Sequence, residues 1–511
     1  MHMKQKTLKE EDRRFYGLVA RAAFSNPFSD ERTGFERRIV DFSGPETAAL
    51  SEQRIADLSI DLIARRIGKT DRTGGLRMNL YRGIDQQLIR TAILFDVFHC
   101  FTSDFDKHIQ EQIEVGDKPC PIPFASRIID RLKKSGFSHE EALRHLAFFF
   151  QLRRAYFFIH RSLIGESPSM RKLRLHLWDT VFTSDIRWYE QHLWNRMEDF
   201  STLLLGETGT GKGTAAAAIG RSIFIPFDEK ADCFRESFTR NFVSINLSRF
   251  PESIIESELF GHKKGAFTGA IEHFEGVFSR CSPHGSIFLD EIGDVSAHVQ
   301  LKLLEVLQER TFSPVGSHEK LQFRSRVIAA TNKPLENLRR GGDMRDDFFY
   351  RLCSNKITVP PLRVRIRENP EEFDLLLDYV VQRTIGKPSS GMAKTIRRIL
   401  NNSVGPDYSW PGNVRELEQA VRSILITRNY RGDTKGETSD RRNILHRAID
   451  NEEAGAYEIL SVYCSMLYEK HGTYEAVSQI TGLDRRTVKK YLAAMDVWAA
   501  SRKAHKKNAE K

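Results

Sequence analysis

A glycine-rich segment with one lysine, "GETGTGKG" at residues 206–213, has the residue types that hold phosphate groups. It follows the apolar run "STLLLG" and precedes the alanine-rich stretch "TAAAAIGRSIF", a pattern that predicts a loop between a strand and a helix. Glycines let backbone N–H groups curl around phosphate oxygens, and the lysine reaches the β- and γ-phosphates. The residues predicted to bind ATP here are Gly206, Glu207, Thr208, Gly209, Thr210, Gly211, Lys212, Gly213 and Thr214.

Two adjacent acids end another apolar run, "IFLDE" at residues 287–291. Because open parallel sheets bind ligands at the carboxyl ends of their strands, we expect these acids at the same edge as the glycine-rich loop. Asp290 is predicted to hold Mg²⁺, directly or through water, and Glu291 to orient or deprotonate the attacking water. Asn332, which ends "VIAATN", is predicted to hold the same water or the γ-phosphate. A helix cap is the alternative role for the two acids.

Three arginines could reach the charge that develops on the transferred phosphoryl group. Arg345 and Arg351 lie in "MRDDFFYRLCS", and in ring ATPases such cations come from the neighbouring subunit. Arg415 lies in "WPGNVREL" at the start of a predicted helix, from which it could close over the nucleotide of its own subunit. Solvated surface arginines are the alternative for the first two.

The elements that must position these residues follow from the hydrophobic pattern. Four apolar runs separated by helical stretches predict a parallel sheet covered on both faces. Residues 370–430 are predicted to form a smaller helical lid, and residues 1 to about 160 a mainly helical domain. The runs predicted as strands are 201–206, 241–248, 285–291 and 326–332.

The long segment "SHEEALRHLAFFFQLRRAYFFIHRSLIG" begins with a predicted capping box, formed by Ser138 and Glu141. Apolar residues alternate in it with Arg and His at helical spacing. It is interpreted either as a core helix of a small domain or as one wall of a ligand pocket.

The C-terminal segment "TYEAVSQITGLDRRTVKKYLAAM" predicts two short helices around a turn at Gly482, the second capped by Asp484. The apolar residues expected to share its core are Val477, Ile480, Val488, Tyr491 and Leu492. A recognition helix presents polar groups to the phosphates and base edges of double-stranded DNA. The residues predicted to do so are Arg485, Arg486, Thr487, Lys489 and Lys490. A solvated basic helix end is the alternative.

Composition limits the remaining possibilities. The 511 residues are enough for several domains, and the net charge of +10 is compatible with an anionic partner without identifying one. The six cysteines are scattered, without metal-ligand spacing, which indicates reduced thiols of a cytoplasmic chain. The first residues do not resemble a signal peptide, and no run is apolar enough to predict a membrane span or a membrane partner.

Seven motifs together resemble one family, the AAA+ activators of sigma-54 RNA polymerase, also called bacterial enhancer-binding proteins. They occur in family order: "GETGTGK", "ESELFGHKKGAFTGA", "GSIFLDEIGD", "LLEVLQE", "ATN", "FFYRL" and "WPGNVREL". The resemblance covers about residues 165–430, with a weaker one near 460–495. The segment "GAFTGA", located where a helix beginning near Pro251 could otherwise continue, is its most specific part.

The resemblance implies roles that the residue pattern alone does not. Asn246 would be the switch residue that hydrogen-bonds Glu291, Arg345 and Arg351 would act on the neighbouring subunit's nucleotide, and Arg415 would be the second sensor. The assembly would be a hexameric ring in the bacterial cytoplasm, with ATP and Mg²⁺ as cofactors and sigma-54 RNA polymerase holoenzyme as partner. The residues expected to contact sigma-54 are Gly265, Ala266, Phe267, Thr268, Gly269 and Ala270.

The chain departs from the family pattern at three places. Residues 183–198 and 227–241 are longer than expected, and "LRVRIRENPEEFD" replaces a shorter turn. We expect these departures to be accommodated as surface insertions.

The predicted fold class is a multidomain chain, with a helical N-terminal domain, an α/β AAA+ P-loop domain with a parallel sheet and helical lid, and a C-terminal helix-turn-helix. Two other functions stay open: a DNA-binding regulator that uses nucleotide only as an assembly signal, and a AAA+ remodeller acting on another partner. The predicted divisions are 1–162 (regulatory or sensory), 163–365 (AAA+ α/β), 366–430 (lid), 431–455 (linker), 456–497 (helix-turn-helix) and 498–511 (basic tail).

Overall fold

The computed structural model describes residues 5–42, 50–72, 76–432 and 455–493. These residues form two compact units, one within Met1–Ala393 and Gly412–Leu417 and one within Lys394–Pro411 and Glu418–Lys511. Most of the predicted linker and the whole predicted basic tail lie outside the described residues.

The N-terminal part of the chain is helical, as the sequence predicted. The predicted capping box begins its longest helix, with Ser138 accepting from the Glu141 backbone and Glu141 accepting from the Ser138 backbone. The helices are α1 (Glu10–Phe24), α2 (Asp30–Asp41), α3 (Glu52–Arg72), α4 (Gly83–Cys100), α5 (Thr102–Val115), α6 (Ala125–Lys134), α7 (His139–Ser162), α8 (Pro168–Phe182) and the single turn α9 (Ile186–Trp188).

Five parallel strands form the central sheet, and four of them are the runs predicted from the sequence. The fifth, the edge strand Asn355–Thr358, was not predicted. The strands in chain order are β1 (Thr202–Leu205), β2 (Phe227–Asp228), β3 (Cys233–Phe234), β4 (Phe242–Asn246), β5 (Ser286–Asp290), β6 (Thr311–Phe312), β7 (Leu321–Gln322), β8 (Arg326–Thr331) and β9 (Asn355–Thr358). The order in the sheet is β4-β5-β8-β1-β9, and β2-β3 and β6-β7 are short antiparallel pairs.

The two faces of the sheet pack into different hydrophobic cores. Successive side chains of a strand point to opposite faces, so Leu203 lies in one core and Leu204 in the other. The same alternation separates Ile287 from Phe288. Both faces are therefore covered, which explains why these strands have continuous apolar sequences.

Further helices follow along the chain. They are α10 (Lys212–Gly220), α11 (Glu252–Phe260), α12 (Ala297–Glu309), α13 (Leu335–Arg340), α14 (Asp346–Leu352), α15 (Leu362–Glu368), α16 (Glu371–Ile385), α17 (Ser390–Val404) and α18 (Asn413–Thr427). Most of α17 and of α18 belongs to the second unit. Helix α10 follows the glycine-rich loop, and its Ala215, Ala216 and Ile219 are buried in the same core as the N-terminal helices.

Helix α7 joins the N-terminal helices to the end of α10. Gln151 donates to the Ser222 carbonyl at 2.9 Å, and Arg154 donates to the carbonyls of Arg221 and Ile223 at 2.9 and 2.7 Å. Arg154 is fully buried, and this burial lowers its pKa to about 9. These carbonyls directly follow Gly220, the last residue of α10, so α7 supplies donors to the backbone just beyond the end of that helix.

The three segments expected as surface insertions are mostly exposed or half-buried, but each also has side chains buried in the interior. Tyr189 is 1% exposed and donates to Gln151 at 2.8 Å, while the ring of Phe234 stacks on Phe150 with centroids 3.9 Å apart. In the third segment, Arg365 and Glu372 form a buried ion pair. The buried residues of these segments pack against the N-terminal helices and their connection to the sheet, so the segments are anchored rather than loose on the surface.

The C-terminal segment consists of helices Ala456–His471 and Tyr474–Thr481 and a helical stretch at residues 485–493. Its core contains Cys464, Val477 and Val488, with Tyr491 and Leu492 packed against it. The prediction for Ile480 is wrong, because its side chain is 47% exposed. The core is completed instead by Cys464, which lies on the helix Ala456–His471 that precedes the predicted pair.

Candidate functional site

The glycine-rich loop lies between β1 and α10, as the sequence predicted. Its backbone is left-handed at Gly209, with φ +80°, and a Cβ there would lie 2.2 Å from the Gly412 carbonyl oxygen. Only glycine fits such a close backbone approach. The loop therefore leads directly into the start of α10. The first backbone N–H groups of a helix have no partner within the helix, so they can bind an anion there.

Lys212, the first residue of α10, lies inside this loop. Its Nζ donates to the carbonyls of Gly206 at 2.8 Å and Glu207 at 3.1 Å, and the residue is only 7% exposed. Burial lowers the pKa of Lys212, and the carboxylates of Glu291 and Asp290 oppose that shift. The lysine is thus positioned at the loop and near the two acids, where a phosphate group would compete for its ammonium.

The two predicted acids lie together at the carboxyl edge of the sheet. Glu291 has a left-handed backbone, φ 58°, which is uncommon for a residue with a side chain. Its backbone N–H donates to Asp290 Oδ1 at 3.1 Å. Burial and the neighbouring Asp290 raise the pKa of Glu291, the direction that suits a carboxylate accepting a proton.

Asn332 contacts Glu291, as its predicted role at the same site requires. Its backbone and side-chain nitrogens each donate to a Glu291 oxygen at 3.3 Å, and Nδ2 also donates to Thr208 Oγ1 at 3.2 Å. Asn332 therefore joins the Glu291 carboxylate to the glycine-rich loop.

Asn246 differs from what the family resemblance implied. Its Nδ2 donates to Asp290 Oδ2 at 3.2 Å, and its Oδ1 accepts from Ser248 at 2.7 Å, so its amide engages Asp290 rather than Glu291. The register explains the difference: Asn246 on β4 pairs directly with Asp290 on β5, which makes Asp290 its nearest carboxylate.

The segment containing Arg415 packs directly on the loop. The Val414 backbone N–H donates to the Gly209 carbonyl at 3.1 Å, and a Cβ added at Gly209 would lie 2.9 Å from Arg415 Cβ. The Arg415 side chain is exposed and its charge acts on Lys212. This places Arg415 beside the predicted phosphate loop.

Sequence reasoning missed two residues that fix Glu207. Arg363 donates to Glu207 Oε2 at 2.7 Å, and Asn413 donates to the same oxygen at 3.2 Å and to the Thr208 carbonyl at 3.0 Å. Hydrogen bonds from Arg363 and burial act in opposite directions, and the pKa of Glu207 is lowered overall. The asparagine of "WPGNVREL" was the available signal, whereas nothing in the sequence pairs Arg363 with the loop.

The other predicted loop residues lie along the first turn. Thr210 donates to the Glu207 carbonyl at 2.9 Å and is buried, whereas Gly213 and Thr214 are exposed at the start of α10. Gly211 has open space around its Cα.

Arg345 and Arg351 are both exposed and contact neither the loop nor the acids through the hydrogen bonds found among the described residues. Arg345 pairs with Asp347 at 2.8 Å, and Arg351 donates to the Leu307 carbonyl at 2.9 Å. Their action on a neighbouring subunit stays a prediction.

The segment 265–270 forms a closed loop outside any helix, because α11 ends at Phe260. The Gly265 N–H donates to the Ala270 carbonyl at 2.8 Å, and the Ala270 N–H donates to the Phe267 carbonyl at 3.0 Å. Phe267 is 45% exposed, and its ring lies edge-on to His262 with centroids 5.0 Å apart. The loop thus presents Phe267 and the exposed Thr268 at its tip.

The basic residues of the C-terminal segment face solvent. Asp484 accepts from the backbone of Arg486 at 2.8 Å and of Thr487 at 3.1 Å, which confirms it as the cap of the last helical stretch. The exposed residues on that stretch are Arg485, Arg486, Lys489 and Lys490. Arg485 also forms an ion pair with Glu475 at 3.4 Å.

The fold and the nucleotide-loop geometry define an α/β AAA+ domain. Residues 187–358 match the family model "Sigma-54 interaction domain". This match supports the resemblance to the sigma-54-dependent bacterial enhancer-binding activators that the motifs predicted.

The curated relatives that the chain matches include regulatory proteins. The Nif-specific regulatory protein of Azotobacter vinelandii is 38% identical over 264 residues, which cover 52% of this chain and 44% of the relative. The anaerobic nitric oxide reductase transcription regulator NorR of Aliivibrio fischeri is 33% identical over 349 residues, which cover 68% of this chain and 60% of the relative. The chain spans about half the length of the curated relatives it matches.

Among solved structures, NtrX from Brucella abortus in complex with ATP aligns at 19% identity with a TM-score of 0.39, over 73% of this chain and 80% of that chain. A second structure of NtrX is in complex with ADP. Within the described residues, no helix has the length and apolar character to cross a membrane.

Proposed function

We propose that the protein is a DNA-bound transcription regulator that couples ATP hydrolysis in an oligomeric ring to remodelling of the sigma-54 RNA polymerase closed complex. The observation that carries this proposal is the presence, in one compact unit, of the ordered phosphate loop with its acid edge and of the exposed loop 265–270. A nucleotide-binding domain without a remodelling task has no need of the second feature.

The residues at the acid edge suit ATP hydrolysis. Lys212 would bind the β- and γ-phosphates, and Glu291, with its raised pKa and its contact to Asn332, would orient or deprotonate the attacking water. Asp290 would bind Mg²⁺, directly or through water, together with nucleotide phosphates. The described residues contain no cluster of three or more His, Cys, Asp or Glu able to hold a metal. The ion would neutralise charge that develops on the phosphates.

The contact between Asn246 and Asp290 gives the proposal a specific relay. Asn246 lies at the end of β4, and α11 follows after one short turn and leads to the loop 265–270. A movement of the Asp290 side chain on hydrolysis would therefore be passed to Asn246 and, through α11, to the loop 265–270. Phe267 and Thr268 would contact sigma-54 at its tip.

Ring assembly and DNA binding complete the proposed activity. The exposed Arg345 and Arg351 would act on the nucleotide of a neighbouring subunit, in a hexamer, while Arg415 closes over its own. The exposed basic residues at 485–490 would bind double-stranded DNA upstream of a promoter, in a helix-turn-helix, and the protein would act in the bacterial cytoplasm.

The N-terminal helices would regulate the ring. The bonds from Gln151 and Arg154 to the end of α10 support this role, because they connect those helices to the element that carries Lys212. The predicted divisions at 162 and 365 stay predictions, and both positions lie inside the first compact unit.

Two measurements separate the proposal from its alternatives. Steady-state ATP turnover that Glu291→Gln abolishes would exclude a regulator using nucleotide only for assembly. Capture of sigma-54 in the presence of a transition-state analogue of ATP is expected for wild type and lost in Phe267→Ala. Turnover without capture by the wild-type protein would favour a AAA+ remodeller with another partner and would contradict the proposal.

A further inference from the structure

A cavity of about 530 Å³ lies among the N-terminal helices, away from the nucleotide site. Cavities of this size typically hold small organic ligands. Its wall is strongly aromatic, with rings from helices α4, α7 and α8 and from the loop between α1 and α2. The aromatic residues that shape it are Phe28, Phe95, Phe148, Phe149, Tyr156 and Trp178.

The aromatic wall is suited to a flat ligand. The rings of Phe28 and Tyr156 are parallel within 8° with centroids 5.6 Å apart, and Trp178 stands edge-on to Phe28. Aromatic rings favour such offset-stacked and edge-to-face arrangements, so the same faces and edges can receive another ring.

Two polar donors on this wall are buried without a partner. Among the described residues, neither Arg174 Nε nor Trp178 Nε1 has a hydrogen-bond acceptor, although both side chains are 4% exposed. They lie one turn apart on α8, on the same face of that helix, and both line the cavity. Buried donors are rarely left unpaired, and each such group costs about 1–3 kcal/mol.

The charge on Arg174 favours an anion. Its terminal nitrogen donates to the carbonyls of Leu163 and Gly165, and its nearest carboxylate, on the exposed Glu166, is 3.7 Å away. That separation exceeds a hydrogen bond. A buried cation is most stable with a paired anion, which no described side chain supplies at hydrogen-bond distance.

The acids around the cavity leave this position open to a ligand. Glu36 and Glu190 are held by Arg32 and Arg90. The remaining lining acids, Asp30, Glu52, Asp57 and Glu166, are exposed. Exposed charges are screened by solvent and salt, so they oppose a buried anion only weakly.

We propose that this cavity binds a small aromatic carboxylate, whose ring stacks among the aromatic side chains and whose carboxylate accepts hydrogen bonds from Arg174 Nε–H and Trp178 Nε1–H. Binding itself does not depend on the proposed ATPase function. The cavity would be the place where the N-terminal helices receive a signal, since α7 lines it with one face and contacts α10 with the other.

Three probes of matched size test the ligand class on the full-length protein by calorimetry and thermal shift. Naphthoate is expected to bind saturably with a Kd below about 1 mM. Naphthamide, which lacks the charge, and decahydronaphthoate, which keeps the two fused rings and the carboxylate but is not aromatic, are expected to bind about tenfold more weakly or not at all. Absence of saturable naphthoate binding, or equal binding of naphthamide, would overturn the proposal.

Two pairs of variants locate the binding site. Trp178→Phe removes one donor but keeps a ring, and is expected to weaken naphthoate binding about tenfold, the loss of one hydrogen bond. Trp188→Phe, the same change at a residue that is 61% exposed and does not line the cavity, should leave the affinity unchanged. Equal affinities of these two variants would contradict the assignment.

Ala56→Trp places a large ring in the cavity and is expected to abolish binding. Ala64→Trp, two turns further along the same helix at an exposed position, should preserve it. Each variant is first compared with wild type by circular dichroism. If Ala56→Trp does not fold, the Trp178→Phe pair decides the question.

Discussion

The two ends of helix α10 meet different surroundings and serve different purposes. At its start, Lys212 and the glycine-rich loop form a polar site whose bonds are local and can be exchanged for those of a phosphate. At its end, the carbonyls of residues 221–223 are bonded to the buried side chains of Gln151 and Arg154. One helix thus has a chemical end and a structural end.

The difference between the ends suggests how the protein could be controlled. We expect a change at the chemical end to alter function with little effect on stability, and a change at the structural end to alter stability and the position of the helix.

Lys212→Ala should produce the largest effect, and only on function. Removing a preorganised cation from a phosphoryl-transfer site costs at least about a hundredfold in turnover. The melting temperature should change little, since Nζ bonds only two carbonyls of its own loop. ATP turnover and thermal melts check both parts, with the exposed Lys356→Ala as control. A large loss of stability in Lys212→Ala would remove the distinction between the ends.

Arg154→Met should destabilise the protein by about 3 kcal/mol, because two buried carbonyls lose charge-assisted hydrogen bonds. Arg161→Met makes the same change on the same helix at an exposed position and should cost under about 1 kcal/mol. Chemical denaturation measures both. Equal losses in the two variants would show that the contact with α10 contributes nothing specific.

Gln151→Leu should cost less, about 1–2 kcal/mol, because it removes the bond to the Ser222 carbonyl and the bond from Tyr189. Tyr189→Phe removes only the second bond, so the difference between the two variants isolates the contact with α10. If the N-terminal helices regulate the ring, Gln151→Leu should also change ATP turnover or oligomeric state while Tyr189→Phe does not. Unchanged turnover and assembly in both would contradict that regulation.

Substitution of His108 should give the smallest effect, a change in how the stability of the protein depends on pH. Burial lowers the pKa of His108 to about 4, so the unfolded chain binds the proton more readily than the folded one. Stability should fall as pH decreases below the unfolded pKa of about 6.5, by about 1 kcal/mol between pH 7.5 and 5.5. His108→Phe should remove that part of the slope, and the exposed His192→Gln should not. Thermal melts at several pH values measure the slope, and an unchanged slope in His108→Phe would be the contrary result.

The chemical end could be predicted from the sequence and the structural end could not. Lys212, Asp290 and Glu291 stand in motifs whose spacing follows from the geometry of a strand, a loop and a helix. Arg154, in contrast, looked like one more basic residue in an amphipathic segment, because nothing in a sequence shows which carbonyls lie 67 residues away.

The remaining errors have similar physical causes. Strand β9 reads "NKIT", with one buried residue among polar ones, since it is an edge strand with a half-exposed pattern. Ile480 was assigned to a core that Cys464 helps to fill from a separate helix. For Asn246, the family resemblance named Glu291, whereas the strand register selects Asp290.

The central claim is that hydrolysis at the chemical end acts on sigma-54 through the loop 265–270. Open-complex formation by sigma-54 holoenzyme, measured in vitro with ATP, tests it most directly. Thr268→Ala should retain ATP turnover within about twofold but lose open-complex formation at least about tenfold, while the exposed Thr384→Ala should behave as wild type. Normal open-complex formation by Thr268→Ala with ATPase activity intact would contradict the account.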